Sequence, residues 1–219
     1  MCIRDRYYTH WRLAQALAKL GEHRLQPAHF ATNVYGDRLD YFPAGYEEML
    51  GYDLVAIENV PVEAIGGEGI ALLKDYVEAG GGLLVCGGWH AFGGGGYAGS
   101  VLEELLPVTS APAPDLFWQP QGLPLRVGGA VPRWAATVPL KSSVYWFQQA
   151  REIRPGATVA LRAEDRPFLV LSTAGKGRVA CLLGAPCGAP LPGQVGFWDD
   201  PAWVEVLART LSWLKAGSR

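Results

Sequence analysis

The sequence predicts an α/β domain built on a mostly parallel sheet, and three observations carry that expectation. Residues 53–58 (Asp-Leu-Val-Ala-Ile-Glu) and 83–86 (Leu-Leu-Val-Cys) are continuous apolar runs of the kind buried on both faces of a sheet. Between them Ile70, Leu73, Tyr76 and Val77 recur at helical spacing, and Gly80-Gly81-Gly82 stops that helix. Strand, helix and strand joined by short glycine turns form a βαβ unit, whose crossover is right-handed and whose strands are parallel.

The other elements follow along the chain. The first six residues, Met1 to Arg6, contain no apolar stretch of a signal peptide and resemble translated sequencing-adapter read-through. On that reading residues 1–6 are non-native, the domain occupies 7–219, and a first strand is missing. Thr9 is placed to cap a helix through Leu20, with Leu13, Ala16, Leu17 and Leu20 on one face and Gly21 as terminator. Residues 24–30 read as a short strand. After Pro107 the texture changes, with proline and glycine dense through Gly129. Short strands are then expected at 123–127, 144–148, 158–162, 168–172 and 178–183, with Ala174-Gly175-Lys176-Gly177 as a hairpin turn. Asp199 or Asp200 caps a final helix, Pro201 takes its first turn, and Val204, Leu207, Leu211 and Leu214 form its buried face.

Composition narrows the function classes. Hydrophobic residues make up 49% and charged residues 18%, which is globular material. A formal net charge of −2, with scattered Lys and Arg, gives no electrostatic footprint for nucleic acid. No apolar run approaches the roughly 18 residues of a membrane-spanning helix. Cys2, Cys86, Cys181 and Cys187 match neither a zinc site nor a Cys-x-x-Cys pair, so no metal and no cofactor is expected. Reduced thiols suit the cytoplasm, or a soluble domain of a larger, membrane-anchored protein.

Nine of the 17 residues from Gly80 to Gly96 are glycine. Glycines just past the carboxyl end of a parallel strand permit close backbone approach, and that edge is where open α/β sheets bind ligands. No Gly-Lys-Ser/Thr follows, so this is not a P-loop. A tight turn and a plain loop account for the same glycines without any ligand.

This stretch also carries a family resemblance. Tyr52-Asp53-Leu54-Val55, the run from Leu73 to Val85, Gly87-Gly88, Phe92-Gly93, Gly95-Gly96-Tyr97 and Leu102 to Val108 resemble the class I glutamine amidotransferase-like family of bacterial proteins. Phe168 to Ser172, Gly175 to Val179 and the terminal helix with Trp213 continue the match, and the ending is also similar to trehalose-utilisation relatives. The resemblance covers roughly residues 50–215 and rests on turn and strand signatures. It implies a flavodoxin-like sheet flanked by helices, with a β-rich second half. Such domains occur alone or attached to von Willebrand-type and membrane-anchored proteins.

Amidotransferase chemistry in this family needs a thiolate on a Gly-x-Cys-x-Gly elbow, a base from a late His-x-Glu, and an oxyanion hole. Leu84-Val85-Cys86-Gly87-Gly88 half-matches the elbow. The histidines are His10, His23, His29 and His90, so none lies in the last 129 residues and the usual relay is missing. His90, four residues after Cys86, is the alternative base for a divergent cysteine-dependent hydrolase or amidotransferase. Cys187 lies in a loop where relatives carry cysteine or histidine. The Asp199–Asp200 pair is read as a helix cap rather than as catalytic.

The preferred reading is a domain without the Cys-His-Glu chemistry, binding a small ligand or a protein partner at the carboxyl edge of its sheet. Glu58, Asn59, Gly88, Trp89, His90, Phe92, Gly93, Gly94, Gly95, Gly96, Tyr97 and Cys187 would form that edge. Trp89, Phe92, Tyr97, Phe117, Trp118, Trp146, Phe147, Phe197 and Trp198 fall in or near loops and strand ends, where flat rings suit a sugar. Core packing of the β-rich half explains the same aromatics.

Overall fold

Register, more than any single element, organises this chain. A computed structural model describes residues 2–5, 12–20, 27–31, 38–40, 42–129, 141–187 and 191–217. The two apolar runs become β4 (Leu54–Glu58) and β5 (Gly82–Cys86), paired in parallel with Glu58 opposite Cys86. Their crossover is α3 (Val62–Glu78), which buries Ile70, Leu73, Tyr76 and Val77 as the helical spacing requires.

The first strand, expected to be missing, is present: Cys2–Asp5 forms β1 and pairs in parallel with both β2 (Pro27–Ala31) and β4. The chain between them supplies α1 (Leu13–Lys19); its expected cap, Thr9, lies outside the described residues. A short β3 (Arg38–Asp40) runs antiparallel to β2 at the sheet margin, and α2 (Tyr46–Leu50) precedes β4.

The second half is longer in strand than the sequence suggests. After α4 (Val101–Leu105) and β6 (Val108–Ser110) comes β7 (Leu116–Val127), a bulged ribbon of which only residues 123–127 were legible. It pairs antiparallel with β8 (Ser143–Gln148), and the small β9 (Ala150–Ile153) turns away to pair with β6. The expected hairpin joins β11 (Arg166–Ala174) to β12 (Gly177–Leu182), with β10 (Thr158–Ala163) beside β11. Asp200, not Asp199, caps α5 (Pro201–Lys215) by accepting the Ala202 amide at 2.9 Å.

All strands but β6 and β9 form one sheet in the order β3-β2-β1-β4-β5-β12-β11-β10-β7-β8. Counting only the parallel strands β1, β2, β4, β5 and β12 gives the order 2-1-3-4-5, the flavodoxin-like arrangement. Beyond β12 the chain returns to β8, with Gly184 opposite Phe147 and the Gln148 amide donating to the Leu183 carbonyl at 3.3 Å. The antiparallel strands thus curl back beside the carboxyl end of β5.

Lateral pairing assigns the faces. Glu58, Cys86 and Leu182 share one register position, so their side chains point the same way. Gly82, in phase with Cys86, lies against Leu214 of α5, where an added Cβ would stand 3.0 Å from its carbonyl. Cys86 therefore faces the α5 side of the sheet.

Candidate functional site

Five segments meet at the carboxyl edge of the parallel strands. They are the start of α1, the end of β4, the turn after β5, the end of β8 and residues 185–187. The chain leaves β1 toward β2 on one side and later returns to β4 on the other, so this edge contains the switch point where open α/β sheets take ligands.

Glu58, the last residue of β4, is fully buried, and its Oε1 accepts the Leu13 amide at 3.2 Å. The carboxylate thereby receives an amide from the first turn of α1. Cys187 lies beside it: burial first, and then the Glu58 charge, push the thiol up to about 12. A thiol held neutral in this way is a poor nucleophile. The segment that carries Cys187 is fixed on both sides, since the Pro186 carbonyl accepts from Arg12 at 2.8 Å and the Ala185 amide donates to Trp146 at 3.0 Å.

Asn59 turns the chain out of β4 in a left-handed conformation, φ 55°, which asparagine tolerates better than most residues. Its Oδ1 accepts the His90 amide at 2.8 Å. Gly88 passes so close that a Cβ there would lie 2.4 Å from the same oxygen, which is the physical reason for glycine at this position. On the other side Gln148 Oε1 accepts the Gly88 amide at 2.9 Å.

The glycine run beyond is a chain of tight turns in which the N–H groups of Gly93 to Gly96 are all bonded within the fold. Asp115 accepts the amides of Gly93 and Gly94 at 2.8 and 3.0 Å. The Gly95 carbonyl accepts from Val62 at the start of α3 at 2.9 Å. Phe92 and Tyr97 are fully buried with ring centroids 5.6 Å apart, and the Tyr97 hydroxyl donates to the Val60 carbonyl at 2.7 Å. Gly95 is buried as well, whereas Gly94 and Gly96 are exposed and Gly93 is half-buried.

The residues singled out in the sequence therefore fall into two sets, with half-buried Gly93 between them. Trp89, His90, Gly94 and Gly96 reach the surface. Glu58, Asn59, Cys86, Gly88, Phe92, Gly95, Tyr97 and Cys187 are interior. Cys86 is fully enclosed on the α5 side, level with Glu58, while the His90 backbone is anchored to Asn59 in the turn above. Among the described residues, no group of three or more His, Cys, Asp or Glu side chains is arranged to hold a metal ion.

Two organising residues escaped the sequence reading. Gln148 and Asp115 are 0% and 2% exposed and together hold the turns after β5. Burial raises the Asp115 carboxyl above its ordinary value, while the Gln148 amide and the two glycine N–H groups oppose that shift. A polar residue closing the apolar run 144–148 was the available signal for Gln148. Asp115, in a proline-rich stretch, had none.

The surface around Trp89 is aromatic. Trp89 is 42% exposed and meets Trp146 edge-on with ring centroids 5.1 Å apart. Trp146 in turn lies 5.2 Å from Trp118, itself 38% exposed. The β7–β8 pairing of Trp118 with Trp146 places these two rings side by side across the strands.

Comparison with known proteins follows the same lines. A family model described as "Putative glutamine amidotransferase" matches residues 24–216. Among solved structures, the cytoplasmic protein STM3548 from Salmonella typhimurium superposes with a TM-score of 0.77 at 20% identity, covering 97% of this chain and 98% of that one. The cytoplasmic protein STM1381 from Salmonella typhimurium LT2 gives a TM-score of 0.71 at 19% identity, covering 98% and 99%. A thua-like protein from Bacteroides uniformis gives 0.64 at 14% identity, covering 97% and 89%. At these identities the likeness is one of fold. A search of curated proteins returned no match. Among the described residues, no helix is long and apolar enough to cross a membrane.

Proposed function

This chain belongs to the glutamine amidotransferase-like family, and from that premise we propose that it is a binding domain without the Cys-His-Glu chemistry. The ligand site is the carboxyl edge of the sheet, centred on Trp89. The observation that carries this reading is the exposed Trp89 ring held against Trp146 at the mouth of the β5 turn. A rigid aromatic face beside a fixed backbone turn suits the apolar face of a sugar ring. The part-exposed His90 lies next to Trp89 at the rim of the turn.

The interior of the edge supports a positioning role rather than a nucleophilic one. Cys86 is enclosed, Cys187 is held neutral beside Glu58, and the sequence has no histidine after residue 90. Asn59 and Gln148 fix the turn that presents Trp89, and Glu58 holds the start of α1 beside it.

Tryptophan emission titrated with a panel of mono- and disaccharides tests the proposal, with Trp89→Ala as the comparison. Saturable quenching by at least one sugar, lost in Trp89→Ala, is the expected result. No response to any sugar, or an equal response in Trp89→Ala, would overturn the carbohydrate reading.

A further inference from the structure

On the far side of the β7–β8 ribbon a second cleft, of about 560 Å3, lies between that ribbon and the start of β11. Its size falls within the range of small-molecule sites, roughly 300–1,000 Å3. Phe117 and Phe147 are directly paired across the strands and point to the opposite face from the neighbouring Trp118–Trp146 pair. The cleft therefore opens on the other face of the ribbon from the Trp89 edge, with Trp118 at the boundary between the two.

The lining has a definite chemical character. Phe117 and Trp118 are 39% and 38% exposed, and Phe147 forms a buried floor. Gln119 and Gln149 supply amides, and among the described lining residues Arg166 carries the charge and none is a carboxylate. The Arg166 guanidinium lies 5.3 Å from the centre of the Phe147 ring. That stacking orients a planar five-donor group without consuming its N–H bonds. Among the described residues no carboxylate is paired with it.

We propose that this cleft binds a small planar ring bearing a carboxylate. The ring packs against Phe117 over the Phe147 floor, and the carboxylate takes the outward fork of Arg166 in a charge-assisted pair. The glutamine amides accept or donate at the rim. The Arg166 cation disfavours positively charged ligands, and the exposed rings disfavour small, fully hydrated anions.

Phenylacetate, benzoate and indole-3-acetate, with phenylacetamide as the neutral control, test the proposal by 15N NMR titration of the whole chain. At least one acid should bind saturably and shift the backbone amides of Phe117 and Gln149, with the matched amide about tenfold weaker. Arg166→Gln should weaken acid binding about tenfold or more, and leave the thermal midpoint unchanged because the side chain is exposed. Phe117→Ala should weaken it independently, and Trp89→Ala should bind the acid like the wild type, which separates this site from the sheet edge. Failure of all three acids to bind, equal binding by Arg166→Gln, or shifts confined to the Trp89 edge would overturn it.

Discussion

The side-chain carbonyl of Gln148, at the end of β8, accepts the backbone amide of Gly88 at 2.9 Å in a fully buried position. That bond ties the antiparallel half of the sheet to the turn that follows β5. It makes the geometry of the Trp89 edge depend on a residue 60 positions away in sequence.

Gln148→Leu keeps the volume but leaves the buried Gly88 N–H without its acceptor. An orphaned buried donor costs about 1–3 kcal/mol. The unfolding free energy should fall by that amount, lowering the urea midpoint with an unchanged slope. An unaltered midpoint would show that the bond does not hold the turn.

Glycine at 93 is required by a neighbour. A Cβ there would stand 2.0 Å from the Ala111 carbonyl oxygen, whereas one at Gly129 would meet nothing within 4 Å. Gly93→Ala should therefore destabilise the chain by about 1–3 kcal/mol, the usual cost of forced overpacking. Gly129→Ala should stay within about 0.5 kcal/mol of the wild type. Thermal or urea melts of the two variants decide the matter, and equal stability would contradict the packed-turn description.

Asp115 titrates in the direction set by burial. Its folded carboxyl lies above the ordinary value of 3.8, so the native state holds the proton more tightly than the unfolded chain does. The corresponding stability is fully present below 3.8 and is lost as pH rises through the folded value. The side-chain carboxyl resonance in 13C NMR should show a midpoint above 3.8. A midpoint at or below it would mean that the Gly93, Gly94 and Gln148 donors outweigh desolvation.

The three cysteines whose surroundings are described are all buried: Cys86, Cys181 and Cys187. Mass-mapped iodoacetamide labelling at pH 8 should leave them unmodified in the native chain and modify all three in urea. Cys187 adds a linkage at high pH, because its folded thiol, near 12, lies above the ordinary 9.0. That contribution is present below 9.0 and is lost as pH rises toward 12, so stability should decline in that window. Rapid native labelling of Cys86 would instead point to an activated thiol.

Much of the parallel half was legible because its information is local. The apolar runs of β4 and β5, the helical spacing of α3 and the Asp200–Pro201 start of α5 each sit within a few residues. The first part of β7 was not legible: the segment from Leu116 to Gly122 carries two glutamines and a proline, and only pairing with β8 makes it strand. β1 escaped because its sequence resembles read-through, while its strand assignment comes from neighbours on both sides. The candidate edge was half legible. Glycine clustering marked the turn, but which members face inward depends on Asp115, Gln148 and Asn59, whose bonds span 21 to 60 residues.

Ammonia release from glutamine by the purified chain and its Cys86→Ser variant tests most directly whether this domain has left the family's chemistry. Both proteins should show no release above the uncatalysed background. Release by the wild type that the substitution abolishes would contradict the binding-domain reading and restore Cys86 as a nucleophile.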